Sequence, residues 1–253
     1  MMPSRAQLLG LMVVLGSAAA SAATPTLDEI IGHNVAARGG PERLAALKTL
    51  ERDGRLVIPG FNGELKVREL KTRRGDYRQE VTLQGLTQIQ SYDGHQAWQV
   101  QPFEGRKDPS LMSADEAKAF ALGADIDLPF VEAKTKGHKV EFLGLEEIDG
   151  TPAYKLRVAL KWGDESTFWI DPDSWMVIRE LDRQTVRGAV QLVETDFGEY
   201  EQVAGVYVPM TEEQGPKDSD SSQKQKIVYE KASANGTLPA TEFSFPASAA
   251  VSK

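Results

Sequence analysis

Tyr154-Lys155-Leu156-Arg157-Val158-Ala159-Leu160-Lys161-Trp162 sets an apolar or aromatic side chain at every second position, with Lys155, Arg157 and Lys161 between them. A period of two belongs to an extended strand whose successive side chains point to opposite faces, so this segment reads as a β-strand with one oily and one wet side. The same alternation occurs at Val81, Leu83, Gly85 and Ile89 against Glu80, Thr82, Gln84, Gln88 and Gln90. Downstream, Asp171-Pro172-Asp173-Ser174 separates Phe168-Trp169-Ile170 from Trp175-Met176-Val177. Proline presets the turn dihedral and aspartate bonds its own backbone, so these residues predict a hairpin. Val190 and Leu192, Val206 and Val208, and Ile227 and Tyr229 add further strands with no crossover helix among them. Strands that follow one another directly predict an antiparallel meander, here a mainly β (α+β) chain of about 10–11 strands.

Two helical segments frame this sheet. Thr26 precedes Glu29 at the spacing of a capping box, in which each side chain satisfies an orphan backbone N–H. Leu27, Ile30, Ile31 and Val35 then share a helical face, Gly39-Gly40 ends the helix, and Pro41 opens a short second one whose Leu44, Leu47 and Leu50 lead to a first strand near Gly54. The second segment runs from Phe103 to Gly137, lacks strand periodicity, and repeats the capping box at Ser113 and Glu116. Ala117, Phe120, Ala121 and Ala124 share one face there, followed by an apolar patch at Leu128, Phe130 and Val131. Glu212 to Lys226 is polar and contains Gly and Pro, so it reads as a mobile hairpin loop.

The N-terminus reads as an export signal. Arg5, the apolar run Leu8 to Leu15, and Ala20-Ser21-Ala22 predict a signal peptide over residues 1–22, a single mature domain over 23–253, and a soluble periplasmic product. The chain has no Cys, so it lacks the residue that lipid anchoring requires. A formal net charge of −8 with scattered Lys and Arg excludes nucleic acid as a partner, because phosphates demand clustered cations.

Catalytic signatures are sparse. His33, His95 and His138 lie far apart with no pair at zinc-ligand spacing, so no metal or cofactor is expected. There is no Gly-x-Ser-x-Gly elbow and no Cys nucleophile, and Asp164, Glu165, Asp171 and Asp173 border a turn where carboxylates are commonly solvated. Asp218-Ser219-Asp220 lacks the spaced ligands of a calcium loop. The expectation is a binding protein, not an enzyme.

Four stretches carry a family resemblance: HNVAARGGPERLAALKTL (His33 to Leu50), SYDGHQAWQVQPF (Ser91 to Phe103), WIDPDSWMVIRE (Trp169 to Glu180) and FSFP (Phe243 to Pro246). In this order they resemble the LolA-like and LolB-like superfamily of outer-membrane lipoprotein-sorting proteins. The resemblance implies a curved antiparallel half-barrel around an apolar cavity, with helices forming a lid over its concave face. It also implies an arginine just before the third strand that bonds the lid. KTRRGDYRQEV (Lys71 to Val81) occupies that place, with Arg74 as the match and Arg73 beside it.

Moving an acyl chain through water needs an apolar container, since each exposed methylene costs about 0.8 kcal/mol and a chain of some fourteen costs roughly 11 kcal/mol. The expected lining is Leu83, Ile89, Trp98, Val100, Leu156, Val158, Leu160, Phe168 and Ile170, with Phe120, Phe130 and Val131 from the lid and Arg74 as its latch. On this reading the chain is a monomeric periplasmic carrier or chaperone for lipid or lipoprotein acyl chains. The alternative is an envelope sensor or regulatory module that uses the same fold to bind an inner- or outer-membrane protein, and an enzyme ranks last.

Overall fold

The computed structural model describes residues 24–246, so the signal-peptide reading of residues 1–22 lies outside the described residues. Two helices open the chain, α1 (Leu27–Ala37) and α2 (Pro41–Ala46). Both halves of the Thr26–Glu29 capping box are formed, and Gly39 and Gly40 both take positive φ after α1. Gly39 serves a second purpose. Its φ is +129°, and a Cβ placed there would lie 2.3 Å from the Gly205 carbonyl oxygen, so only glycine lets the helical pair close onto the sheet.

The rest is one antiparallel sheet. Its first run is β1 (Thr49–Val57), β2 (Leu65–Thr72), β3 (Tyr77–Leu83), β4 (Leu86–Tyr92), β5 (Ala97–Gln101) and β6 (Arg106–Leu111). After α3 (Ala114–Ala121) and α4 (Ala133–Lys136) come β7 (Lys139–Ile148), β8 (Thr151–Ala159), β9 (Glu165–Ile170), β10 (Val177–Val186), β11 (Ala189–Val203), β12 (Val206–Pro216) and β13 (Gln225–Ala234). The spatial order is β6-β5-β4-β3-β2-β1-β13-β12-β11-β10-β9-β8-β7. Pairing of β13 with β1 joins two meanders, and the free edges are β6 and β7, which are consecutive in sequence. The chain between them must cross the mouth of the curved sheet. It does so carrying α3 and α4, which is why the insertion is a lid.

The expected half-barrel is therefore present, with thirteen strands instead of ten or eleven. One addition is β6, RKDPSL, which is mostly exposed and pairs on one side only, so it shows no apolar alternation. The expected loop from Glu212 to Lys226 is also corrected. Strand β12 runs through Pro216 and β13 begins at Gln225, leaving only the residues between as a turn.

Two apolar clusters hold the helices down. Ile30 of α1 packs with Phe130, Val131, Leu156, Val158, Phe168 and Ile170 at the β7–β10 end of the concave face. Leu44 and Leu47 of α2 pack with Leu50, Val67, Val206, Val208 and Tyr229 near the middle. Asn34 fixes the first contact by donating Nδ2–H to the Trp175 carbonyl at 2.7 Å, in the hairpin turn that Asp171 to Ser174 builds.

Candidate functional site

Between α3 and the concave face lies a hollow of about 740 Å³. Its walls come from β2–β5 on one side and β10–β13 on the other, and α3 packs on β10 and on β4 and β5 to roof it. Leu56, Val67, Val81 and Ile227 give it an apolar strip, and Phe120 and Leu122 add apolar surface from the roof. Phe120 stacks on Tyr77 with ring centroids 4.6 Å apart, and Gly123 passes so close that a Cβ would meet the Tyr77 ring at 2.6 Å.

The remaining wall is polar. Gln79 stands opposite Gln90, and Gln90 opposite Gln99, making one row across β3, β4 and β5. Across the hollow Gln184 pairs with Gln191 and Gln214 with Gln225. All of these line the cavity.

Charges sit beneath it. Arg52 is buried, with Nη2 2.6 Å from Glu69 and 2.8 Å from Glu212, Nη1 donating to the Pro209 carbonyl, and its guanidinium over the Tyr229 ring at 3.8 Å. The hydroxyls of Tyr77 and Tyr229 donate to the other oxygen of Glu69. Burial pushes Glu69 up, but the Arg52 and Lys71 charges and the Arg52 hydrogen bond outweigh it, leaving Glu69 below the usual carboxylate range. Glu180 and Asp182, two residues apart on β10, face the same hollow. Burial, with Asp182 beside it, raises Glu180 well above its ordinary value, and burial raises Asp182 to about 6. Their side of the hollow is thus closer to neutral than its composition suggests.

The trailing end of the lid is clamped. Arg38 donates to the carbonyls of Asp127 and Ile126 at 2.8 and 3.2 Å, and Lys136 holds Asp125 at 2.6 Å. Arg73 reaches the Asp127 carboxylate and the Leu44 and Leu47 carbonyls, tying lid, α2 and sheet together. Arg74, the residue matched to the latch, does not reach the lid: its side chain is 61% exposed and pairs with Asp76, and it is Arg73 that meets the helical segment.

The expected lining residues separate into three groups. Ile89, Trp98 and Val100 alternate with Gln88, Gln90, Gln99 and Gln101, which line the hollow, so they face the convex side. That side is covered by the C-terminal segment: Trp98 Nε1 and Ser91 Oγ both donate to the Phe243 carbonyl, at 2.7 and 2.9 Å. Leu156, Val158, Leu160, Phe168 and Ile170 do lie in the concave interior, but with Phe130 and Val131 they form solid core instead of cavity wall. Phe130 meets Phe168 edge to face at 5.1 Å and plugs that end. Leu83 shares the concave face of β3 with Val81 but sits at the strand end, outside the hollow, and Phe120 alone of the expected residues reaches it. The strongest apolar alternation marks the part of the sheet that helices cover. The hollow's own signal was the glutamines at every second position of β4 and β5, of which Gln88 and Gln90 read as a wet face.

Among the described residues no group of three or more His, Cys, Asp and Glu is placed to hold a metal ion.

No family model and no curated protein matches the sequence. Solved structures do match the fold. A DUF1329 family protein from Desulfovibrio piger superposes with a TM-score of 0.57 at 11% identity, over 87% of this chain and 98% of that one. A LolA superfamily protein from Nitrosomonas europaea gives 0.54 at 12% identity, over 88% and 99%. A domain assigned to outer-membrane lipoprotein sorting from Vibrio parahaemolyticus gives 0.54 at 12%, over 85% and 94%. With its lidded, unclosed antiparallel sheet, the chain has the LolA-like fold.

Proposed function

We propose that this protein is a periplasmic carrier that shelters the acyl part of a lipid or lipoprotein in the hollow under α3. The observation that carries the reading is the hollow itself, about 740 Å³ between a movable roof and the sheet, within the range of roughly 300–1,000 Å³ typical of ligand pockets. Its apolar strip from Leu56, Val67, Val81 and Ile227, faced by Phe120, offers an acyl chain a route out of water. Within the roof α3 is the less anchored end, since none of its residues is buried and its leading turn is held by the Glu116–Arg187 pair, so opening would start there. Likeness in fold to a domain assigned to lipoprotein sorting supports the same reading. The export signal read over residues 1–22 supports a periplasmic compartment.

The test is displacement of a fluorescent fatty acid from the delipidated protein by palmitate, alongside native mass spectrometry of protein isolated from its own envelope. Saturable binding with one acyl chain per molecule is expected. Absence of both probe binding and co-purified lipid would refute the carrier reading.

A further inference from the structure

The hollow's walls carry a pattern that a bare alkyl chain does not account for. Gln79, Gln90 and Gln99 stand in register across three strands, and Gln184 faces Gln191 across two. Directly opposite residues on antiparallel strands hold their Cβ atoms about 4.5–5.5 Å apart, so each row is a continuous ledge of primary carboxamides. Every carboxamide presents two N–H donors and a carbonyl acceptor. Methylenes laid on that ledge would strip its water and return no hydrogen bonds. Among the described residues, the side-chain carbonyl oxygens of Gln101 and Gln184 are buried without a hydrogen-bond partner, and both residues line the hollow. Both acceptors are therefore free to take a donor from whatever fills the hollow.

Charge narrows the choice. Glu69, Asp182 and Glu212 border the site and repel an anionic head. The three cations that line it are already engaged, Arg52 by Glu69, Glu212 and the Pro209 carbonyl, Lys71 by Glu69 at 3.6 Å and Arg38 by the Asp127 and Ile126 carbonyls, which leaves no ready phosphate clamp. A fixed cation gains little either: Glu69 and Glu212 are paired with Arg52, burial holds Glu180 toward its neutral form, and Asp182 already accepts from Ser166 Oγ. A peptide would find its backbone partners on a strand edge, and the hollow presents a face. What remains is a neutral group dense in hydroxyls, each able to donate to a glutamine carbonyl and accept from a glutamine amide.

We infer that the glutamine rows bind the neutral glycosyl head of a glycolipid, with its chain on the apolar strip under Phe120. The inference rests on the carrier reading of the hollow and specifies its cargo. Calorimetric titration of the delipidated protein with a chain-matched series separates the two: n-dodecyl-β-maltoside, n-dodecylphosphocholine, and an N-lauroyl dipeptide amide. The maltoside is expected to bind at least about tenfold tighter than the others, the equivalent of one net hydrogen-bond pair. Gln90→Leu and, on the opposite wall, Gln184→Leu should each shrink that preference to within about twofold by weakening the maltoside, with circular dichroism melts confirming the fold. Equal affinity across the series would overturn the glycosyl assignment and leave the carrier reading standing. Tightest binding of the dipeptide amide, or Gln90→Leu tightening every ligand, would also overturn it. Failure of all three dodecyl ligands to bind would remove the carrier reading and the inference with it.

Discussion

Replacing Arg73 with leucine should loosen the lid without unfolding the sheet. The guanidinium spans three attachments, the Leu44 and Leu47 carbonyls and the Asp127 carboxylate. Deleting a charge-assisted hydrogen bond costs about 1.5–3 kcal/mol, and the pair is partly screened because the Arg73 and Asp127 side chains remain 26% and 13% exposed. We therefore assign about 2 kcal/mol to the attachment that spans lid and sheet, or roughly a 30-fold shift in the ratio of open to closed lid. Leucine keeps the apolar stem that packs along α2, and Arg38 still holds the backbone at Ile126 and Asp127, so the closed state survives as a less populated one. Hydrogen exchange over residues 113–131 and stopped-flow release of a bound fluorescent fatty acid read the effect directly. Release from Arg73→Leu is expected to be about 10–30-fold faster than wild type, and release from Arg74→Leu unchanged within about twofold, since the Arg74 side chain is 61% exposed and touches only Asp76. An equal or larger effect from Arg74→Leu, or no change in lid exchange for Arg73→Leu, would refute the assignment of the latch.

Asp182→Asn should stabilise the protein at neutral pH but not in acid. The folded-state value near 6 exceeds the ordinary 3.8, so the unfolded chain releases its proton first and wild-type stability falls as pH rises from about 4 to about 6. Urea midpoints at pH 4 and 7 should show no gain at the lower value and a gain on the order of 1–3 kcal/mol at the higher; a pH-independent difference contradicts the burial argument. Gly40→Ala, in open space at φ 90° and ψ 162°, should cost about 1–3 kcal/mol from backbone strain alone, and Gly39→Ala should cost more, as its new methyl also meets the Gly205 carbonyl. Trp98→Phe deletes the bond to the Phe243 carbonyl and should lower stability by roughly 0.5–1.5 kcal/mol with acyl-probe affinity unchanged. Weakened probe binding in that variant would place Trp98 on the wrong face.

Regular structure was legible wherever local chemistry acts alone. The Thr26 and Ser113 capping boxes and the Asp171 turn each depend on residues a few positions apart and form as their patterns imply, whereas the Val81 to Ile89 alternation folds back at Gln84-Gly85 into β3 and β4 and leaves Val81 and Ile89 on opposite faces. Faces were harder. Trp98 and Gln99 are neighbours on one strand, and hydrophobicity alone assigns the indole to the interior, yet the C-terminal segment covers the convex side and takes it. That cover comes from residues far along the chain, so no local pattern announces it. The Arg73 and Arg74 ambiguity has the same origin, because which arginine points inward depends on the course of the turn after β2.

The division of the concave face follows from area. Thirteen strands curve around more interior than α1, α2 and the Leu128–Val131 segment can cover, and those elements fill only one end and the middle. The uncovered stretch must withstand water whenever the lid opens, and a purely aliphatic wall there would collapse inward or expose an adhesive patch. Glutamine meets both conditions, since its carboxamide is hydrated when the hollow is empty and exchanges that water for ligand groups when it is filled. On the proposed function, binding on such a wall would proceed by replacing hydrogen bonds as well as by removing apolar surface. Its heat-capacity change should accordingly be less negative than that of the same dodecyl chain entering an all-aliphatic cavity, and replacing Gln90 and Gln99 together with leucine should make it more negative.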